Sequence, residues 1–208
     1  SFIYKLINPK SENNFYEFFP ADEFFWEKVV NIGSHQLVLP AIYQGIMDKK
    51  IQKNIPIKLI NYLENIHEIN FNRNTEILSQ IDYISDLLNE NNINHVFLKG
   101  SALLVSFGQN FAKRRMIGDI DILVENKDIN DSYDILLKSG FQKLDDGEID
   151  LTRDFKGKKN RHLKRLTHPN FIAALEVHNE PLIEKFSDML SSIEILKEKE
   201  IVCNKYYI

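Results

Sequence analysis

Apolar positions recur with two different periods along the chain, and the change from one to the other falls near residue 91. From about residue 12 the spacing is helical: an aromatic-rich stretch FYEFFPADEFFWEKVV, then HQLVLPAIYQGI, then a long run opened by Pro56. In that run Ile77, Leu78, Ile81, Ile84, Leu87 and Leu88 share one face of a helical repeat, which predicts an amphipathic helix with this stripe in a core. From Asn92 the pattern becomes α/β. It predicts a buried strand HVFL at 95–98, a helix through SALLVSF, a strand DIDILV at 119–124, a helix from Ile129 to Lys138 closed by Gly140, and a strand FQKL. A hairpin follows in LKRLTHPNFIAALEVH, where Pro169-Asn170 makes the turn between two β-rich arms. Pro181 to Lys199 is helical again, and the closing NKYYI is strand-like. The expected organisation is an α+β protein with a helical N-terminal region over residues 1–91 and an α/β core over 92–208, with no repeat or low-complexity linker between them.

The candidate chemistry sits in the strand DIDILV. Strand side chains alternate in direction, so Asp119 and Asp121 project to one side while Ile120 and Ile122 point to the other. Two acids so placed repel each other unless a cation sits between them, and a hard divalent ion takes carboxylate oxygens while leaving room for substrate phosphates. Without that ion the repulsion predicts that an Asn at either position leaves the melting temperature unchanged or raises it. Upstream, Gly100-Ser101 follows the strand HVFL and opens an apolar helix. Glycine lets the backbone approach an anion closely, a first helical turn offers unpaired N–H groups, and the serine hydroxyl adds a donor. An N-cap role for Ser101 is the competing reading.

The Gly-Ser turn followed by D-x-D on the next strand resembles the DNA polymerase β-like nucleotidyltransferase superfamily. LKGSALL, Arg115 four residues ahead of Asp119, GDIDILV, SGF at 139–141 and LEVH at 175–178 narrow the resemblance to a bacterial family of uncharacterised nucleotidyltransferases. The similarity covers most of the chain. The seventeen residues from Ala102 to Gly118 form a longer spacer than in many superfamily members. The resemblance implies a mixed sheet with flanking helices, a third carboxylate on a neighbouring strand, and Mg2+ or Mn2+ as cofactor.

Glu176 is the candidate for that third acid. Alternation through the second arm of the hairpin places Ile172, Ala174, Glu176 and His178 on one face, and an acid within an otherwise apolar strand is costly unless something pairs with it. Beside the D-x-D strand, Asp119, Asp121 and Glu176 would form the catalytic and metal-binding cluster. Lys99, Gly100, Ser101, Arg115 and His178 are the candidate nucleotide-binding residues. Lys99 and Arg115 have two open roles, holding the triphosphate or neutralising the acids without nucleotide. His178 either orients a ligand or moves a proton, or packs at a strand end. The implied activity transfers a nucleoside monophosphate from a nucleoside triphosphate, ATP being one candidate, to a hydroxyl-bearing acceptor with release of pyrophosphate. A nucleotide-binding or regulatory module that has lost catalysis, and a toxin-like enzyme modifying RNA or protein, are the alternatives.

Charge and composition narrow the partners. Eight basic side chains lie within the thirteen positions from Arg153 to Arg165, which suits either a polyanionic substrate or a solvated loop. The cluster lacks the interleaved aromatics that stack bases. A formal net charge of −4 over 208 residues argues against a generally cationic nucleic-acid binder, so no DNA partner is expected, and the acceptor stays open among small molecule, protein and RNA. A single cysteine, Cys203, excludes an internal disulfide and a cysteine-based zinc site. With no stretch of membrane-spanning length and no secretion-type start, a cytoplasmic location without membrane partner is expected. The first residue is Ser1 rather than methionine, which points to trimming at the amino end, and whether the native chain extends beyond residue 208 is open.

Overall fold

The computed structural model describes residues 2–11, 22–144, 162–182, 186, 189–203 and 205–208. It shows a mixed α+β architecture in which the chain forms two compact units, Ser1–Thr75 with Gln109–Met116, and Glu76–Gly108 with Ile117–Ile208.

The first unit is helical. It contains α1 (Phe2–Ile7), α2 (Glu23–His35), α3 (Leu39–Asp48) and the part of α4 (Ile57–Glu90) up to Thr75. Helix α2 begins where the Asp22 carboxylate accepts the Phe24 N–H, and α3 carries Pro40 in its first turn, where a missing N–H costs nothing. Trp26, Val29, Leu39, Ile42, Ile46 and Leu63 make the core, with α1 adding Leu6. A Cβ on Gly45 would lie 2.2 Å from the Leu6 carbonyl oxygen, so α1 and α3 approach this closely only because that position is glycine. The segment Gln109–Met116 is fastened by two buried asparagines of α4: Asn70 and Asn74 each donate to the Ala112 carbonyl at 2.8 Å, and Asn74 also donates to that of Arg115.

The second unit carries the sheet. Strand β1 (His95–Leu98) leads into α5 (Lys99–Ala112), and β2 (Asp119–Val124) leads into α6 (Ile129–Lys138). Short strands β3 (Gln142–Lys143) and β4 (Leu166–Thr167) precede β5 (Ala174–His178). The sheet order is β1-β2-β5-β4-β3, with β2 and β5 parallel and the other neighbouring pairs antiparallel. Ile120, Ile122 and Val177 are fully buried, as are Ile77, Ile81, Ile84 and Leu88 on the expected stripe of α4. The side-chain amide of Gln80 donates to the Ala173 carbonyl and accepts the Ala173 N–H, so an α4 residue extends the pairing of the backbone just ahead of β5. Helix α6 ends at Gly140, whose φ of +105° favours glycine.

Three expectations change. Of the helical pattern from Pro181 to Lys199, the described residues include α7 (Ser192–Glu198), which starts at a capping box made by Ser191 and Glu194. It is followed by the small pair β6 (Ile201–Val202) and β7 (Tyr206–Tyr207). The strand FQKL shortens to β3, and Ile172 lies ahead of β5 and is exposed. Of the basic cluster, Arg153, Lys156, Lys158, Lys159 and Arg161 fall outside the described residues.

Candidate active site

Parallel pairing of β2 with β5 sets Asp119 opposite Ala174, Asp121 opposite Glu176 and Leu123 opposite His178. Paired residues project to the same side of a sheet, so one face carries Asp119, Asp121, Glu176 and His178 within two strands. Across the other edge of β2, Leu98 pairs with Asp121, and the next residue is Lys99 at the start of α5. Lys99 has a φ of +51°, a left-handed conformation that costs a lysine about 1 kcal/mol. That conformation turns the chain from β1 into the helix beside the acids.

The charges are closely paired. Lys99 Nζ lies 2.5 Å from Asp121 Oδ1 and 3.9 Å from Glu176 Oε2. His178 Nε2 lies 2.8 Å from the same Asp121 oxygen and 3.3 Å from the same Glu176 oxygen. On the far side of Glu176, Arg165 donates from Nε to Oε1 at 2.6 Å and reaches Asp119 Oδ2 at 3.4 Å. Asp121, Glu176 and His178 are buried, whereas the Lys99 and Arg165 side chains are each 46% exposed.

These contacts divide the acids into two kinds. Burial, together with the neighbouring Asp121 and Glu176 charges, holds Asp119 above the ordinary carboxylate value. The hydrogen bond from His178 and then that from Arg165 outweigh burial at Glu176 and hold it below. Burial alone would lower His178, but Asp121 and Glu176 together raise it. Nε2 faces both carboxylates and therefore carries a proton, while Nδ1 is buried with no hydrogen-bond partner among the described residues.

The donor set fits a divalent cation. Ligand atoms of Asp121, Glu176 and His178 all lie within 4.8 Å of one another, and carboxylate oxygens beside an imidazole suit Mg2+, Mn2+ and other first-row ions. For His178 to act as a ligand, Nε2 must give up its proton. Asp119 stands at the rim of this group rather than inside it, bound to Arg165.

The remaining candidates are placed differently. Gly100 lies in the first turn of α5, where helical N–H groups lack partners of their own, and a Cβ there would meet only ordinary contact with Ile117. The Ser101 hydroxyl is buried: it donates to the Leu98 carbonyl at 2.6 Å and accepts the Asp121 N–H at 3.3 Å. Its hydrogen bonds fasten α5 to the D-x-D strand. Arg115 is exposed and belongs to the helical unit through Gln109–Met116. Arg165 is the site residue that the sequence reasoning left among the basic cluster. Leu166 pairs with Leu175, a register that sets Arg165 against Glu176, whereas a two-residue Pro169-Asn170 turn sets Arg165 against Ala174, so the sequence carried the shared face but not the pairing.

A mixed sheet with two paired acids on adjacent parallel strands, beside a strand-to-helix turn, defines an α+β protein whose buried Asp121, Glu176 and His178 could hold a cation. Residues 22–205 match the family model described as uncharacterised nucleotidyltransferase, and the chain belongs to that family. No curated protein matches the chain. None of the described helices is long and apolar enough to cross a membrane.

Proposed function

We propose that this face transfers a nucleoside monophosphate from a nucleoside triphosphate, ATP among the candidates, to a hydroxyl-bearing acceptor. The observation that carries it is the pairing of Asp121 with Glu176 at one level of two parallel strands, next to the Gly100 turn, in a chain of nucleotidyltransferase family. A divalent cation bound there supplies charge neutralisation and Lewis-acid stabilisation of the triphosphate. Asp121 and Glu176 would hold it, with His178 as a further ligand or as the donor that fixes both carboxylates. Glu176, held anionic by Arg165 and His178, suits charge compensation. Asp119, held above the ordinary value and nearest the rim, suits the acceptor's proton.

In the reaction the acceptor oxygen attacks the α-phosphorus, its proton passes to Asp119, and the bond from the α-phosphorus to the bridging oxygen breaks with that electron pair leaving on pyrophosphate. The backbone N–H groups at Gly100 and the first turn of α5 receive the β- and γ-phosphates, and Lys99 offsets the charge that develops on the leaving group, while Arg165 stays on Glu176 and Asp119. Ser101 acts through position, keeping this turn against β2.

Parallel incubations of the protein with α-labelled and γ-labelled nucleoside triphosphates, magnesium and cell extract test this. Nucleotidyl transfer moves the α-label onto an acceptor and releases the γ-label in pyrophosphate. Appearance of the γ-label on the acceptor would instead show phosphoryl transfer, and nucleotide binding without any labelled product would show a binding module.

A further inference from the structure

We propose that Lys99 is an exchangeable cation, occupying the metal position between Asp121 and Glu176 and moving to the triphosphate when a divalent ion takes that position. The inference rests on the metal-dependent reading above and adds a control to it: metal and nucleotide assist each other's binding.

The geometry is specific to Lys99. Its ammonium lies on Asp121 Oδ1 and faces Glu176 Oε2, the same two oxygens that His178 Nε2 approaches. A divalent ion coordinated by those oxygens at about 2.0 to 2.3 Å leaves no place for an ammonium 2.5 Å from one of them, because like charges in a partly buried site repel strongly. Of Lys99, His178 and Arg165, the groups paired with Asp121 and Glu176 among the described residues, Lys99 is the one able to leave. His178 is 1% exposed and belongs to β5, and Arg165 is anchored on the other oxygen of Glu176. The Lys99 side chain is 46% exposed on a flexible four-carbon stem.

Its backbone position supplies the destination. Lys99 is the first residue of α5 and precedes Gly100, so the stem is rooted where the helix start offers its N–H groups to phosphate. An ammonium displaced from Asp121 is therefore within a side chain's reach of that anion. Metal alone must displace a bound cation, whereas metal arriving with triphosphate gives that cation a new partner. By linkage each ligand then raises the affinity for the other.

The test uses Mn2+ alone, with free Mn2+ followed by electron paramagnetic resonance, and separately inorganic tripolyphosphate with Mn2+ held at a concentration that saturates the site. Wild type is compared with Lys99→Met, Lys99→Gln and Lys99→Arg, with Lys138→Met as a control for an equal change in net charge at an exposed site. The expected result is opposite movement: Lys99→Met and Lys99→Gln bind Mn2+ at least about tenfold tighter and lose affinity for tripolyphosphate, while Lys99→Arg and Lys138→Met follow wild type. Adding Asp121→Asn to Lys99→Met should abolish the gained Mn2+ affinity. Unchanged or weaker Mn2+ binding in both neutral variants would overturn the exchange while leaving the metal site intact. Tighter Mn2+ with undiminished tripolyphosphate binding would overturn the transfer to phosphate. Failure of every variant, wild type included, to bind Mn2+ would overturn the metal-dependent function itself.

Discussion

Asp121 and Glu176, fifty-five residues apart in sequence, occupy directly paired positions on the parallel strands β2 and β5, and His178 Nε2 lies within hydrogen-bonding distance of both carboxylates. Parallel pairing matters because it brings both acids to one level and one side with their backbones fixed by the sheet. Lys99, Arg165 and His178 compensate the charge of Asp121 and Glu176, whereas at Asp119 the repulsion expected from sequence persists.

That compensation makes the acids respond differently to neutral replacement. Asp119 is disfavoured as an anion by the fold, so Asp119→Asn should raise the melting temperature of the metal-free protein or leave it unchanged. Glu176 is favoured as an anion, and Glu176→Gln should lower stability by about 2 kcal/mol, or roughly 4 to 8 °C, because His178 cannot rehydrate although Arg165 can. Scanning calorimetry without divalent ions reads both signs.

The same shift predicts an acid limb. A depressed Glu176 contributes stability that is present above its unfolded value of 4.5 and is lost as pH falls through its lower folded value. Wild type should therefore lose stability faster than Glu176→Gln on acidification below about pH 4.5, and the two melting curves should converge. Parallel curves would remove the ion pair from the stability account.

Much of the fold was legible locally. The strands at His95–Leu98 and Asp119–Val124 and the helix Ile129–Lys138 follow from apolar periodicity and from glycine closing the helix. Alternation was enough to put Glu176 and His178 on one face of their strand, but the Pro169-Asn170 turn sets Arg165 against Ala174 rather than Glu176, so the sequence left Arg165 in the basic cluster. What sequence did not carry was which strands are neighbours, since β2 and β5 pair across more than fifty residues. Nor could it show the Ser101 hydroxyl turned to backbone groups rather than outward. The grouping of Gln109–Met116, and Arg115 with it, into the helical unit depends on distant Asn70 and Asn74. The kink ahead of it, at Gly108 with φ +53°, marks the change of unit with a residue that tolerates that conformation.

Gln80 ties α4 to the strand that carries Glu176 and His178. Gln80→Leu leaves the Ala173 N–H and carbonyl without their amide partner in a buried setting, at a cost of about 2 to 4 kcal/mol. Loosening of β5 should also weaken Mn2+ binding, although Gln80 touches none of the acids through the bonds it makes. Calorimetry with a Mn2+ titration checks both, and destabilisation with intact Mn2+ affinity would confine Gln80 to a structural role.

His95 provides a pH response on β1, outside the acid cluster. Burial lowers its pKa, so the neutral ring contributes stability that is present above its unfolded value of 6.5 and is lost as pH falls from there toward the folded value. His95→Leu should reduce the loss of melting temperature between about pH 7.5 and 5.5, measured as the difference from wild type at each pH.

The measurement that bears most directly on the central claim is a crystal structure with Mn2+ and a nucleoside triphosphate analogue that cannot be cleaved at the α-phosphorus, recorded at the manganese absorption edge. The expected result is an anomalous peak about 2.0 to 2.3 Å from one oxygen of Asp121 and one of Glu176, with the phosphates at the start of α5 and Lys99 withdrawn from Asp121. A bound triphosphate with no manganese between these two carboxylates would contradict it.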